Sequence, residues 1–391
     1  MANLMLNTIT APSGLWAIIL NWINASVLNF AWTIIVFTLL IKLVLSPLDF
    51  LIKLSSKKST LVQQKCAPQI EKLKKKFGNN SQMLASQQQA LYKKEGLNML
   101  SSCLVTLFNL VLTVIVFFSI YTTLREVSAY YAIKQYQDLN VAYTTAYTKV
   151  LENNGIDYDI NADYSGNEEM LAKIAEAKAD PSVKLAVQDK WNEVKDNWLW
   201  ITNIWVVDGH ADPLPSYSAL TKLANSAGGM FESGVKDEYI NIVASINEDY
   251  YNEVTSSVTS QLNGWNGYYI LAVLAGIVTF LSTWIAELGN KLKRNKQQPQ
   301  KTNSFIKVQK QTTTSTTPDM SSSMKWMKLI MPAIMVIFVI SSSAAFGIYI
   351  FTQSAIGILI GYLINLLVNR ITRKKQLEVV EFLDKIEKKA K

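Results

Sequence analysis

The run FAWTIIVFTLLIKLVLSPLDF, residues 30–50, decides how the rest of the chain is read. It is apolar and holds one lysine, Lys42, and no charged side chain precedes that lysine. About 20 consecutive apolar residues cross the hydrocarbon core of a bilayer, and the stretch 27–48 meets that length. Working outward, four more uncharged or nearly uncharged stretches follow, at 98–121, 267–288, 329–346 and 350–369. With 391 residues, 49% of them hydrophobic, and a net charge of +8, the averages suit a basic soluble protein. The distribution excludes a single soluble domain. The expectation is an all-α polytopic membrane protein: five spans, a helical hairpin between the first two, and a mostly helical external insert.

Charge sets the expected orientation. Residues 49–97 hold ten lysines against three acids, residues 289–328 nine basic residues against Asp319, and residues 370–391 eight basic against four acidic. Residues 126–265 reverse the balance, with twenty-one acids and nine basic residues. Basic flanks stay on the cytoplasmic side. The expected order is therefore an external segment 1–26, a basic cytoplasmic hairpin 49–97, an acidic external domain 122–266, a basic cytoplasmic loop 289–328, spans four and five within 329–369, and a basic cytoplasmic tail 370–391. The N-terminus is expected outside and the C-terminus inside a bacterial-type cell membrane. Gly14 to Ser26 is too short to span and places Trp16, Leu20 and Ile23 on one helical face with Trp22 beside them, as an interfacial helix would.

The residues that are missing narrow the function. Two cysteines, Cys66 and Cys103, and one histidine, His210, make no metal-ligand cluster and no nucleophile–base arrangement. No Gly-Lys dipeptide occurs, so there is no phosphate-cradling loop. The expectation is a protein that is not an enzyme and needs no cofactor or metal.

Polar residues inside the spans recur at helical spacing. Thr38, Lys42 and Ser46 are four apart; Ser102, Thr106, Asn109 and Thr113 follow at four, three and four; Thr279, Thr283 and Glu287 are again four apart. Interhelical hydrogen bonding accounts for such stripes in many bundles. Lys42 asks for more, because an ammonium at mid-span costs about 2.5 kcal/mol or more. Either it snorkels to the inner headgroups, or it faces a water-filled cavity open to the cytoplasm. Gly357 and Gly361 form a small-xxx-small pair expected to pack helices closely. Residues 55–95 read as two helices around Gly78-Asn79-Asn80. In the external region, helices are expected near 167–178, 182–198 and 235–262.

The stretches TLLIKLVLSPLDF (38–50), APQIEKLKKKFGNN (67–80) and QQALYKKEGLNMLSSC (88–103) resemble the YidC/Oxa-type membrane protein insertases. So do LWITNI (199–204) and AAFGIYIFTQS (344–354). The resemblance implies a five-helix core with a hydrophilic groove open to the cytoplasm and the lipid. Lys42 stands where the family carries an arginine, Thr38 matches a threonine one turn earlier, and Tyr349 matches a tyrosine near the groove's outer end. Asn98-Met99-Leu100-Ser101-Ser102-Cys103 departs from the family's Asn-Pro-Leu-Gly-Gly-Cys, and Val111 replaces a mid-span proline, so the second span is expected to be straighter.

What the resemblance implies is insertion of nascent membrane proteins from the cytoplasmic side into the lipid bilayer, without ATP hydrolysis. The groove would be lined by Lys42, Thr38, Ser46, Ser102, Thr106, Asn109 and Tyr349. Implied partners are nascent chains, lipid, the ribosome through the basic tail and loops, and a Sec translocon with signal-recognition machinery. The competing reading is a small ion or solute transporter that uses Lys42 as its binding charge.

Overall fold

In a computed structural model of the chain, residues 8–27, 29–77, 80–97, 99–160, 162–228, 234–296, 330 and 332–390 are described. The basic loop expected at 289–328 lies mostly outside them, as do Gly78, Asn79 and the last residue of the tail. The described residues form helices and no named strand; one isolated bridge joins Trp198 and Ile201.

Among the described residues three helices are long and apolar enough to cross a membrane: α2 (Phe30–Phe77), α4 (Met99–Asn153), whose apolar candidate starts at Leu104, and α12 (Ala344–Ala390). Apolar but shorter are α1 (Leu15–Val27) and the first part of α10 (Ile270–Lys296). Residues 332–340 form α11. The chain divides into two compact units. One holds residues up to Thr38, Val116–Thr279 and Ile330–Thr352; the other holds Leu39–Ile115, Phe280–Leu329 and Gln353–Lys391.

In the first unit, α1 buries Ala17, Leu20 and Ile23 and leaves Leu15, Ile18 and Trp22 exposed. Trp22 therefore sits away from the Leu20–Ile23 face beside which the sequence placed it. Trp16 meets Phe37 edge-on and its indole N–H donates to Ser119 Oγ at 2.7 Å. Asn29 opens α2, its Oδ1 accepting from the amides of Ala31 and Trp32.

The sequence ended the second span at 121, but α4 continues without a break to Asn153. Nothing stops it: residues 99–153 contain neither glycine nor proline. Gly155, at φ 71°, ends the helix, and the Ile156 amide closes back on the Leu151 carbonyl at 3.0 Å. Around the second half of α4 pack α5 (Glu168–Ala179), α6 (Pro181–Val194), α7 (Tyr217–Ser226), α8 (Lys236–Ala244) and α9 (Glu248–Thr259). Their shared core is rich in tyrosine, with Tyr136 stacked on Tyr251 at 4.6 Å.

A loop at 196–210 fastens two later helices. The Asp208 carboxylate accepts from the Leu271 amide at 2.8 Å, in the first turn of α10. The carbonyls of Val206 and Ile204 accept from Ala344 and Ala345, the first residues of α12, each at 2.8 Å. Helix N-termini carry four amides without intrahelical partners, and this loop supplies acceptors for three of them. Gly209 lets the loop close: a Cβ there would lie 2.4 Å from the Tyr269 ring. Asn203, Asn266 and Gln135 hold the loop from inside through a buried amide network. The break between α11 and α12 falls at Ser341–Ser343. There Ser128 Oγ bonds Ser343 Oγ at 2.8 Å.

In the second unit, α3 (Ser81–Lys94) follows α2, and Asn80 caps it by accepting from the Met83 amide. Cys66, Ile70 and Tyr92 form a small buried cluster between the two helices. Lys65 pairs with Glu95 at 2.5 Å. Lys58, Lys72, Lys75, Lys76, Lys93 and Lys94 remain exposed, which makes this hairpin's surface strongly basic.

Candidate functional site

The site is built on α2, which runs as one helix through Pro47 and Pro68. Thr38 is buried, and its hydroxyl donates to the Ile34 carbonyl at 2.6 Å. That back-bond satisfies the hydroxyl within its own helix. Lys42, one turn on, is half-buried, and among the described residues it has no salt-bridge partner within 4.0 Å. Ser46 has a local task. Pro47 has no N–H, so the Leu43 carbonyl loses its regular donor, and the Ser46 hydroxyl donates to it at 2.9 Å instead. Hydroxyls re-satisfy freed carbonyls in this way in membrane helices.

On α4, Thr106 is exposed and Asn109 half-buried. The side chains of Ser102, Thr283 and Glu287 lie outside the described residues. Tyr349 on α12 is buried at 2% exposure, its ring 5.9 Å from Phe346. The two compact units divide this set. Lys42, Ser46, Thr106 and Asn109 belong to the second unit, Thr38 and Tyr349 to the first.

Two charged residues of the same helix face were passed over in the sequence. Asp49 and Lys53 lie seven and eleven positions beyond Lys42, which returns each to its face. The spacing was legible, but the apolar stretch ends at 48 and both fell into the count of a basic loop. Lys53 Nζ donates to the Gly361 carbonyl of α12 at 3.2 Å. The glycine pair therefore does not behave as expected for close helix packing. A Cβ at Gly357 would meet nothing within 4 Å, and one at Gly361 would meet the Lys53 ammonium at 3.3 Å.

His210 packs against the Trp265 ring at 4.6 Å between centroids. Among the described residues no group of three or more His, Cys, Asp or Glu side chains is placed to hold a metal ion. What the second unit offers chemically is a charged face on a membrane-length helix, α2, together with part of a second helix, α4, that is apolar around most of its circumference. From Leu104 to Phe118, α4 exposes large apolar side chains around most of its circumference, and Thr106, Asn109 and Thr113 take the remaining face. A helix of that kind has lipid as its solvent.

Residues 22–174 match the family model described as 60Kd inner membrane protein, of the YidC/Oxa type. Three similar proteins are each named membrane protein insertase YidC. The one from Vesicomyosocius okutanii is 38% identical over 108 residues, 28% of this chain and 18% of its own. That from Aromatoleum aromaticum is 34% identical over 117 residues, 30% of this chain and 20% of its own. The Fusobacterium nucleatum protein is 38% identical over 94 residues, 24% of this chain and 44% of its own. The chain thus matches less than half the length of each. No solved structure matches it. The resemblance read from 38–103 is borne out at the level of family, and that family's proteins reside in the bacterial inner membrane.

Proposed function

Taking the YidC/Oxa-type match of residues 22–174 as the premise, we propose that this chain is a membrane protein insertase and chaperone. It takes nascent membrane proteins from the cytoplasmic side, through a hydrophilic groove within a five-span core, into the bilayer. The observation that carries the reading is the charged face of α2, with half-buried Lys42, on a helix of membrane-spanning length. Apolar client segments gain about 0.8 kcal/mol for each CH₂ buried in lipid, so the insertion step needs no ATP. What resists is the polar flank that must cross. Lys42, Ser46, Thr106 and Asn109, with Ser102, Thr38 and Tyr349, would hydrate that flank partway, and Lys42 would attract an acidic one. The exposed lysines of the α2–α3 hairpin and the basic tail support contact with ribosomal RNA. A Sec translocon and signal-recognition machinery are further proposed partners. The alternation of basic and acidic segments supports an external N-terminus and a cytoplasmic C-terminus.

The test is reconstitution. Purified protein in liposomes, without nucleotide, should insert a single-span client with an acidic translocated tail several-fold better than empty liposomes. Lys42→Glu should remove most of that gain. Equal insertion by Lys42→Glu rejects the charge attraction, and solute flux in place of insertion favours a transporter.

A further inference from the structure

Lys42, Ser46, Asp49 and Lys53 succeed one another at four, three and four residues on α2 and belong to one compact unit. The polar face therefore carries a plus–minus–plus pattern over eleven residues, a rise of about 16 Å. The outer members are held differently. Lys53 is tied to the backbone of α12, because Gly361 lacks a side chain and leaves its carbonyl reachable at 3.2 Å. Lys42 has no such tether among the described residues and is half-buried. Between them, the Asp49 carboxylate acts electrostatically on both ammonium groups. No described salt bridge includes Asp49, so its charge works through space.

A face carrying Lys42 and Lys53 alone would hold acidic flanks strongly and repel basic ones. A carboxylate between them lowers both tendencies. We propose that Asp49 is a specificity-determining residue: it offsets the two lysines so that clients with basic or neutral translocated flanks are accepted alongside acidic ones. The inference rests on the insertase reading and extends it to a class of client. Discrimination is a difference between two affinities, and here the built-in repulsive element is one carboxylate.

The experiment uses the full chain in liposomes and two single-span clients that differ only in the translocated flank, which carries two Asp or two Lys. For Asp49→Asn, the ratio of acidic to basic insertion should rise about threefold to tenfold over wild type, because a nearby unit negative charge is removed. Asp49→Glu should restore the wild-type ratio, which a residue acting only through shape would not do. Raising the salt concentration should shrink the difference. An unchanged ratio for Asp49→Asn, or an equal loss for both clients, overturns the assignment while leaving the insertase reading standing. If the wild type inserts neither client better than empty liposomes, the insertase reading falls and takes this inference with it.

Discussion

The two halves of α4 are one helix under two sets of rules. From Leu104 to Ile115 its leucines, valines and phenylalanine are exposed over all but the face of Thr106, Asn109 and Thr113, and Leu110 is 59% exposed. From Ile120 to Leu151 the same helix buries Leu124, Ile133, Tyr136, Leu139, Tyr143 and Tyr147, with Leu139 at 0%. No change in helical propensity separates them. The difference is the solvent each half is written for. The first half needs only to be apolar, since lipid accepts any apolar shape. The second half must fit particular neighbours on α5 to α9; Tyr143 and Tyr147 find partners for their hydroxyls, whereas the buried Tyr136 hydroxyl has none among the described residues. Tyr143 donates to Glu253 at 2.8 Å, and Tyr250 donates to Asn140 at 2.8 Å.

The same substitution made in each half breaks this comparison most directly. Leu139→Ala should cost about 2–5 kcal/mol of stability in detergent-solubilised protein, because it opens a cavity in a packed core. Thermal or denaturant unfolding of the protein reads it. Next in size is Asn266→Ala. Asn266 accepts from the Asn203 amide at 2.8 Å and donates to the carbonyls of Asn203 and Val207 at 2.8 and 3.0 Å. Its loss leaves buried polar groups unpaired, and about 2–3 kcal/mol should disappear from the same transition.

A smaller effect comes from charge. Burial pushes the Asp196 carboxyl above its ordinary value, against the pull of the Trp205 indole N–H that donates to it at 2.5 Å. The folded state then holds this proton more tightly than the unfolded chain, so Asp196 stabilises fully below the unfolded value, near pH 4, and that contribution fades as the pH rises through the folded value. Asp196→Asn keeps an acceptor for the indole and removes the charge. Its melting temperature should fall less than the wild type's as the pH rises above about 4. A parallel pair of curves would show that Asp196 does not titrate there. The smallest effect is Leu110→Ala, the lipid-side partner of Leu139→Ala, with a cost below about 1 kcal/mol in bilayer-embedded protein, since lipid fills the space. A large loss would mean that Leu110 packs against protein.

What could be read from the sequence follows the same division. The apolar halves of α2, α4 and α12 announced themselves by hydropathy, and the stripe of Lys42, Ser46, Thr106 and Asn109 by spacing alone. The Gln135–Asn203–Asn266 network did not, because its members stand 63 and 68 residues apart and no local pattern names their partners. Ser46 was read as a groove residue from its spacing. Its bond to the Leu43 carbonyl makes sense only once α2 is seen to run straight through Pro47. Asp49 and Lys53 were missed for the opposite reason. Their periodicity was visible, and a boundary drawn on hydropathy cut it off.

The central claim, that the polar face of α2 receives client helices, is tested most directly by photo-crosslinking on ribosomes stalled with a half-made single-span membrane protein. One crosslinker replaces Ser46 on the polar face, and another replaces Leu110 on the lipid-exposed face of α4. The nascent helix should be captured from position 46 in clear excess over position 110, and Lys42→Glu should reduce the capture of clients with acidic tails. Equal capture from both positions, or none from Ser46, would contradict the claim.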